Sequence, residues 1–209
     1  MREISCPSCG APVRFMSAQS LLSVCGWCRA TLMRRDLDVE NVGKMAELIP
    51  DPTPLQLGVE GKYRGMHFAL AGRIQVQYPD GAWNEWFLFF DDGRTGWLGE
   101  ASGTYMISFE TEVKEPLPEW EALKPDQEVK LNGRPFRVSD IRTARVVGGE
   151  GELPFRVMSG YDAPVADLQT ETEAFATIDY SDGHPRVFLG ETVEFGFLDL
   201  RGLREFEGW

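Results

Sequence analysis

All four cysteines of this 209-residue chain fall within its first 28 positions, as Cys6, Cys9, Cys25 and Cys28. They form two C-x2-C pairs with 15 residues between them, a spacing that lets four thiolates surround one tetrahedral ion. Each pair is a knuckle whose tight turn aims two sulfurs at a common point. Pro7 presets the first turn, and Gly10 and Gly26 offer backbone freedom to the two knuckles. Between the knuckles, residues 13–15 and 21–24 alternate like two short strands. Residues 1–35 therefore read as a zinc ribbon holding one structural Zn2+, because four thiolates leave no open position for water or substrate. Rubredoxin-like iron uses similar paired knuckles, so spacing alone leaves the metal open between zinc and iron. Two disulfides are disfavoured in a reducing compartment, and a redox C-x2-C is expected beside a βαβ pattern that this sequence lacks.

Charge divides the chain at the same place. Residues 1–35 carry Arg2, Arg14, Arg29, Arg34 and Arg35 against Glu3, a net of +4, and the remainder carries −16. The acidic body argues against nucleic-acid binding by the whole molecule. The opening MREISCPSCG has no apolar run of the secretory type, and no stretch reaches the roughly 18 apolar residues of a membrane helix. A cytoplasmic protein without a transmembrane segment is expected.

Residues 36–56 read as a linker. Leu37, Val39, Val42, Met45 and Leu48 would line one face of a short helix, weakened by Gly43. The run Ile49-Pro50-Asp51-Pro52-Thr53-Pro54 favours an extended strut. Beyond it the pattern is that of strands. Phe68, Leu70, Ile74, Val76 and Tyr78 recur at every second position with Gly72 in the gap, which predicts one half-buried strand. Residues 79–81 are a turn, 83–90 are apolar on both faces, and Asp92-Gly93 is a hairpin turn. Residues 61–68 resemble 129–136, and Trp97-Leu98-Gly99-Glu100 resembles Phe188-Leu189-Gly190-Glu191. The expected fold is mainly β with little helix: a duplicated antiparallel body, built as a sandwich or as paired small barrels. Its units are 57–115 and 127–209, joined by a connector at 116–126.

The strings CPSCG, VCGWC, PLQLG, GRIQVQY, WNEWFLFFDDGRTGWLGE and VEFGFLDLRGL resemble a bacterial domain-of-unknown-function family, number 4178. The likeness covers nearly all of the chain beyond the linker. It implies a zinc ribbon in front of the family domain and a setting beside aminopropyltransferase-like and membrane-stress genes. It implies no enzymatic activity.

The residues agree that catalysis is not the expectation. Only His67 and His184 are available, no cysteine is left over as a nucleophile, and no G-x-S-x-G, P-loop or G-x-G-x-x-G occurs. The reading favoured by the sequence is a non-catalytic adaptor that binds a protein partner through ribbon and β-body. A second reading makes the β-body a ligand-binding or enzymatic unit that takes a small cation of the polyamine kind on a patch formed by Trp83, Glu85, Trp86, Trp97 and Glu100. Glu85 then competes between a ligand and a structural ion pair with Arg73 or Arg94. A third and weaker reading has Arg14, Arg29, Arg34 and Arg35 touch phosphates while Phe15 and Trp27 stack on bases.

Overall fold

The computed structural model describes residues 2–17, 19–35, 38–78, 81–155, 160–172 and 174–206. Strand β1 (Arg2–Ser5) pairs antiparallel with β2 (Pro12–Phe15) to form the first half of the ribbon. The second half is β3 (Leu22–Val24), β4 (Ala30–Arg35) and β5 (Asp38–Lys44). The helix expected after residue 36 is not formed: β5 pairs with β4 across nearly its whole length. Val39 faces the small ribbon core while Asp38 and Glu40 face out, a period of two in which strand pairing satisfies the backbone. Leu37 lies outside the described residues.

The body follows. Strands β6 (Glu60–Tyr63), β7 (Met66–Tyr78), β8 (Gly81–Phe90), β9 (Thr95–Ala101) and β10 (Thr104–Glu110) make one antiparallel meander. A second is made by β11 (Glu128–Leu131), β12 (Arg134–Leu153), β13 (Tyr161–Gln169), β14 (Ala174–Asp179) and β15 (Arg186–Val193). Two seams join them. β10 pairs with β15, and β12 pairs with β7 from Gly148–Gln75 to Gly151–Gly72. The result is one closed eight-stranded barrel, to which each meander gives four strands, rather than a sandwich or two small barrels. Closure leaves the body's eight main strands without an open edge. No α-helix forms among the described residues; single 3-10 turns occur at Trp120–Ala122 and Phe195–Leu198.

The two meanders share details that sequence alone only hints at. Each begins with a two-residue hairpin in left-handed conformation, Arg64-Gly65 and Asn132-Gly133. Each long strand has a bulge at the matching place, between Leu70 and Gly72 and between Val138 and Asp140. The first sequence match thus agrees with strand order. The second does not, because it sets β9, the third barrel strand of one meander, against β15, the fourth of the other.

The bulge in β7 also corrects the reading of one half-buried face. An extra residue reverses which side every later side chain takes. Phe68 and Leu70 therefore enter an outer core with Trp86, Leu88, Phe90, Leu98 and Ile107. Ile74 and Val76 turn inward instead, with Phe87, Trp97, Ala144 and Val146. Both faces of β7 are buried. The predicted turn at 79–81 falls mostly on Pro79 and Asp80, outside the described residues. The outer core of the second meander, around Phe136, Val138, Leu168 and Ile178, is covered by the connector through Leu117, Trp120 and Leu123.

Residues 45–56 are no free spacer. Met45 is buried in the same cluster as Ile74 and Trp97, and Leu55 is fully buried in the outer core of the first meander. Asp51 takes an ion pair from Arg73 and a hydrogen bond from Asn84 Nδ2 at 3.0 Å. Thr53 Oγ1 donates to Glu100 at 2.7 Å. The prolines hold the chain extended, and these bonds fasten it to the barrel wall.

Candidate functional site

The four cysteine sulfurs lie within 4.8 Å of one another. Cys6 and Cys28 are 3.8 Å apart, and Cys9 and Cys25 are 3.7 Å apart. A zinc–sulfur bond of about 2.3 Å in a regular tetrahedron places its sulfurs about 3.8 Å from each other, whereas a disulfide needs about 2.05 Å. The donor set therefore fits one four-coordinate metal ion, which these four thiolates could hold. Each knuckle is closed by backbone bonds, Gly10 N–H to Cys6 O at 2.8 Å and Arg29 N–H to Cys25 O at 2.9 Å. The left-handed positions are Gly10 and Arg29. Gly26 does not take that role, because the position after the second cysteine of each pair is the one that must reverse. Burial opposes ionisation of Cys6. The N–H groups of Ser8 and Cys9 and the neighbouring thiols outweigh it and bring its thiol down to about 7.

The ribbon arginines are already engaged. Arg14 pairs with Glu3 at 2.9 Å and Arg35 with Glu40 at 3.0 Å. Arg29 donates to the carbonyls of Met45 and Ala46, and Arg34 donates to Ser17 O at 3.1 Å and lies over the Phe15 ring. Phe15 is buried and so offers no face for a base, while Trp27 is 79% exposed between Cys25 and Cys28.

A second candidate site is the interior of the barrel. Eight strands enclose a width that side chains fill or that one small ligand shares. Here a cavity of about 210 Å³ remains, lined among others by Trp83, Glu85, Trp97, Tyr161, Asp167 and Asp179. Alternation along β8 sends Trp83, Glu85 and Phe87 inward and Asn84, Trp86, Leu88 and Phe90 outward. The patch expected from sequence is therefore split by the wall. Trp83, Glu85 and Trp97 face the lumen. Trp86 and Glu100 lie on the far side, where Trp86 Nε1 donates to Glu100 at 3.0 Å and Asn84 Nδ2 adds a bond at 3.1 Å.

Neither expected partner reaches Glu85. Arg73 sits directly across from Trp86 in the ladder and so shares its outward face, 4.9 Å above the indole. Arg94 pairs with Asp92 at 2.6 Å. Among the described residues only Trp83 bonds Glu85, through Nε1 at 2.9 Å. Burial pushes the Glu85 carboxyl up to about 7, against the lowering effect of the Trp83 bond, and the carboxylates of Asp179 and Asp167 add to the rise.

The lumen holds its own cations. Arg142 pairs with Asp140 at 2.5 Å and with Asp167 at 2.7 Å, and lies over the rings of Tyr78 and Trp83. Arg186 pairs with Asp179 at 3.2 Å and lies over Phe155 and Phe188. The Nε atoms of both arginines are buried without an acceptor, stacked against those ring faces. Burial also raises the carboxyl of Asp167, despite its bonds to Thr177 and Arg142. Both arginines, both aspartates and Tyr161 escaped the sequence reading. For the aspartates the signal was the alternation of polar residues with Ala166, Leu168, Ala176 and Ile178, which looks the same whether the polar face meets solvent or a lumen. His67 and His184 are exposed and line no part of the cavity.

No helix among the described residues is long and apolar enough to cross a membrane. No match was found among curated proteins or among solved structures. The profile of one family, described as a domain of unknown function (DUF4178), matches residues 56–195, which run from the end of the proline segment through all eight barrel strands. The ribbon stands before that match, and the chain belongs to the DUF4178 family.

Proposed function

We propose that the DUF4178 barrel binds a small organic cation in its lumen without turning it over, with Glu85 as the counter-charge, and that the ribbon holds one structural zinc ion. The observation that carries the reading is Glu85 itself, a carboxyl in the barrel's cavity with an indole N–H and no basic partner among the described residues. Three carboxyl groups and two guanidiniums line the cavity, and Asp140 and Asp182 reach the same two arginines. The balance favours a positive guest. Because Arg142 already covers Trp83, the guest meets the free side of Glu85 together with Trp97 and Tyr161.

Binding of a cation favours ionised Glu85, so below about pH 7 it releases a proton and affinity rises with pH toward neutrality. Spermidine is the probe. Calorimetry at pH 8 should give heat and a raised melting temperature, with at least tenfold weaker binding in Glu85→Gln. No heat and no thermal shift at millimolar spermidine would dispose of the reading.

A second reading, the adaptor, rests on Trp27, an apolar side chain held out in solvent by a rigid knuckle. Its test is capture of a partner encoded beside this chain, lost in Trp27→Ala while metal content is unchanged. Capture that Trp27→Ala leaves intact removes the knuckle from that role.

A further inference from the structure

The ribbon and the barrel meet at one strand end. The last residues of β12 are flanked on both edges: Gly151, Glu152 and Leu153 pair with Val24, Ser23 and Leu22 of β3, while Gly148 to Gly151 pair with Gln75 to Gly72 of β7. Gly151 belongs to both ladders. The stretch that closes the barrel thus runs, through Gly151, directly into residues held from the other edge by the ribbon strand that leads into Cys25.

Three further contacts reinforce the junction. Glu152 is 3% exposed and has no cationic partner among the described residues. It accepts hydrogen bonds from Met16 N–H at 2.5 Å, Ser17 N–H at 3.1 Å and Ser20 Oγ at 2.6 Å, all on the loop between the two knuckles. Leu21 N–H donates to Leu153 O at 3.0 Å. Leu22 and Val24 share a buried cluster with Ile74, Trp97, Ala144 and Val146, four side chains that also line the lumen. A ribbon of this size has too little core to hold itself together without its ion.

From this we propose that metal occupancy of Cys6, Cys9, Cys25 and Cys28 controls closure of the barrel at the β7–β12 seam. The proposal rests on the four-thiolate reading of the ribbon and is independent of any guest in the lumen. With the ion bound, β3 and the groups of Met16, Ser17 and Ser20 clamp the end of β12 against β7. Without it the knuckles open, β3 and the Glu152 acceptors lose their partners, and the seam loosens. The opposite seam, β10 with β15, pairs with no ribbon strand among the described residues and stays shut.

Hydrogen exchange read by mass spectrometry on the full chain tests this, with native mass recorded on the same samples. The protein is compared with one equivalent of Zn2+ and after chelation under reducing conditions. Chelation should speed exchange at least tenfold in 22–24, 72–75 and 148–153, and less than twofold in 105–110 and 188–193. Glu152→Ala should keep one zinc per chain yet loosen 72–75 and 148–151, and Ser20→Ala should do so to a smaller degree. Unchanged protection at the seam after chelation overturns the proposal, as does an equal loss in every strand. So does a Glu152→Ala seam as protected as the wild type. A native mass without zinc overturns the metal reading and this proposal together, whereas one zinc with a rigid seam overturns the coupling alone.

Discussion

Glu85 and Trp86 are neighbours in sequence and strangers in space. One faces a cavity, the other an outer core, and the difference decides their chemistry. Glu85 carries a stability cost that depends on pH. Its folded value near 7 lies above the ordinary 4.5, so between these values the native state holds a proton that the unfolded chain has released. Stability from this group is therefore full below about pH 4.5 and is lost as pH rises through about 7. Glu85→Gln should remove that slope and leave the protein more stable than the wild type at pH 8 by on the order of 1–3 kcal/mol. Urea unfolding at pH 4.5 and 8 measures it; a variant equally destabilised at both would show that the carboxyl has an unrecognised partner. The four cysteines were legible from spacing, because knuckle geometry is local. The Trp83–Glu100 patch was legible only in part. Grouping residues by nearness in sequence ignored the alternation that puts adjacent side chains on opposite faces of a strand, and it set Arg73 beside Glu85 when the ladder sets it against Trp86.

At the scale of elements, strands were legible and their faces were not. A bulge shifts the phase of every side chain after it, and nothing in the string from Phe68 to Tyr78 marks the slip except Gly72. That glycine is required for another reason. A Cβ built on it would stand 1.7 Å from the carbonyl oxygen of Glu152, across the seam. Backbone cannot yield there as a flexible side chain would. Gly72→Ala should cost about 3 kcal/mol or more, and the loss should appear as a lower thermal midpoint with faster exchange at the seam. A midpoint within a degree of the wild type would mean that the seam separates easily. The helix expected near Val39 failed for a different reason. Its apolar spacing suits either period over so short a stretch, and the open edge of β4 decides in favour of a strand.

For the molecule as a whole, the division into basic head and acidic body was read from charge, yet charge is silent about packing. The ribbon is not an appendage on a strut; its Leu22 and Val24 are part of the barrel's own buried cluster. Removal of residues 1–44 should therefore leave Ala71, Val146 and Leu153 in contact with water. The shortened protein should bind a hydrophobic dye and aggregate at concentrations where the full chain stays in solution. A well-behaved shortened barrel would show that its strands need no cover. Closure of the barrel was not legible, since it joins residues about 80 positions apart and no local pattern announces a partner at that distance. That separation has a consequence for synthesis. As the chain leaves a ribosome at about 5–20 residues per second, β3 and β7 emerge first; β7 waits roughly 4–16 s and β3 roughly 6–26 s for the end of β12. During that interval both present unpaired edges, and the nascent chain is at its most vulnerable to neighbours before a single late segment zips two waiting strands at once.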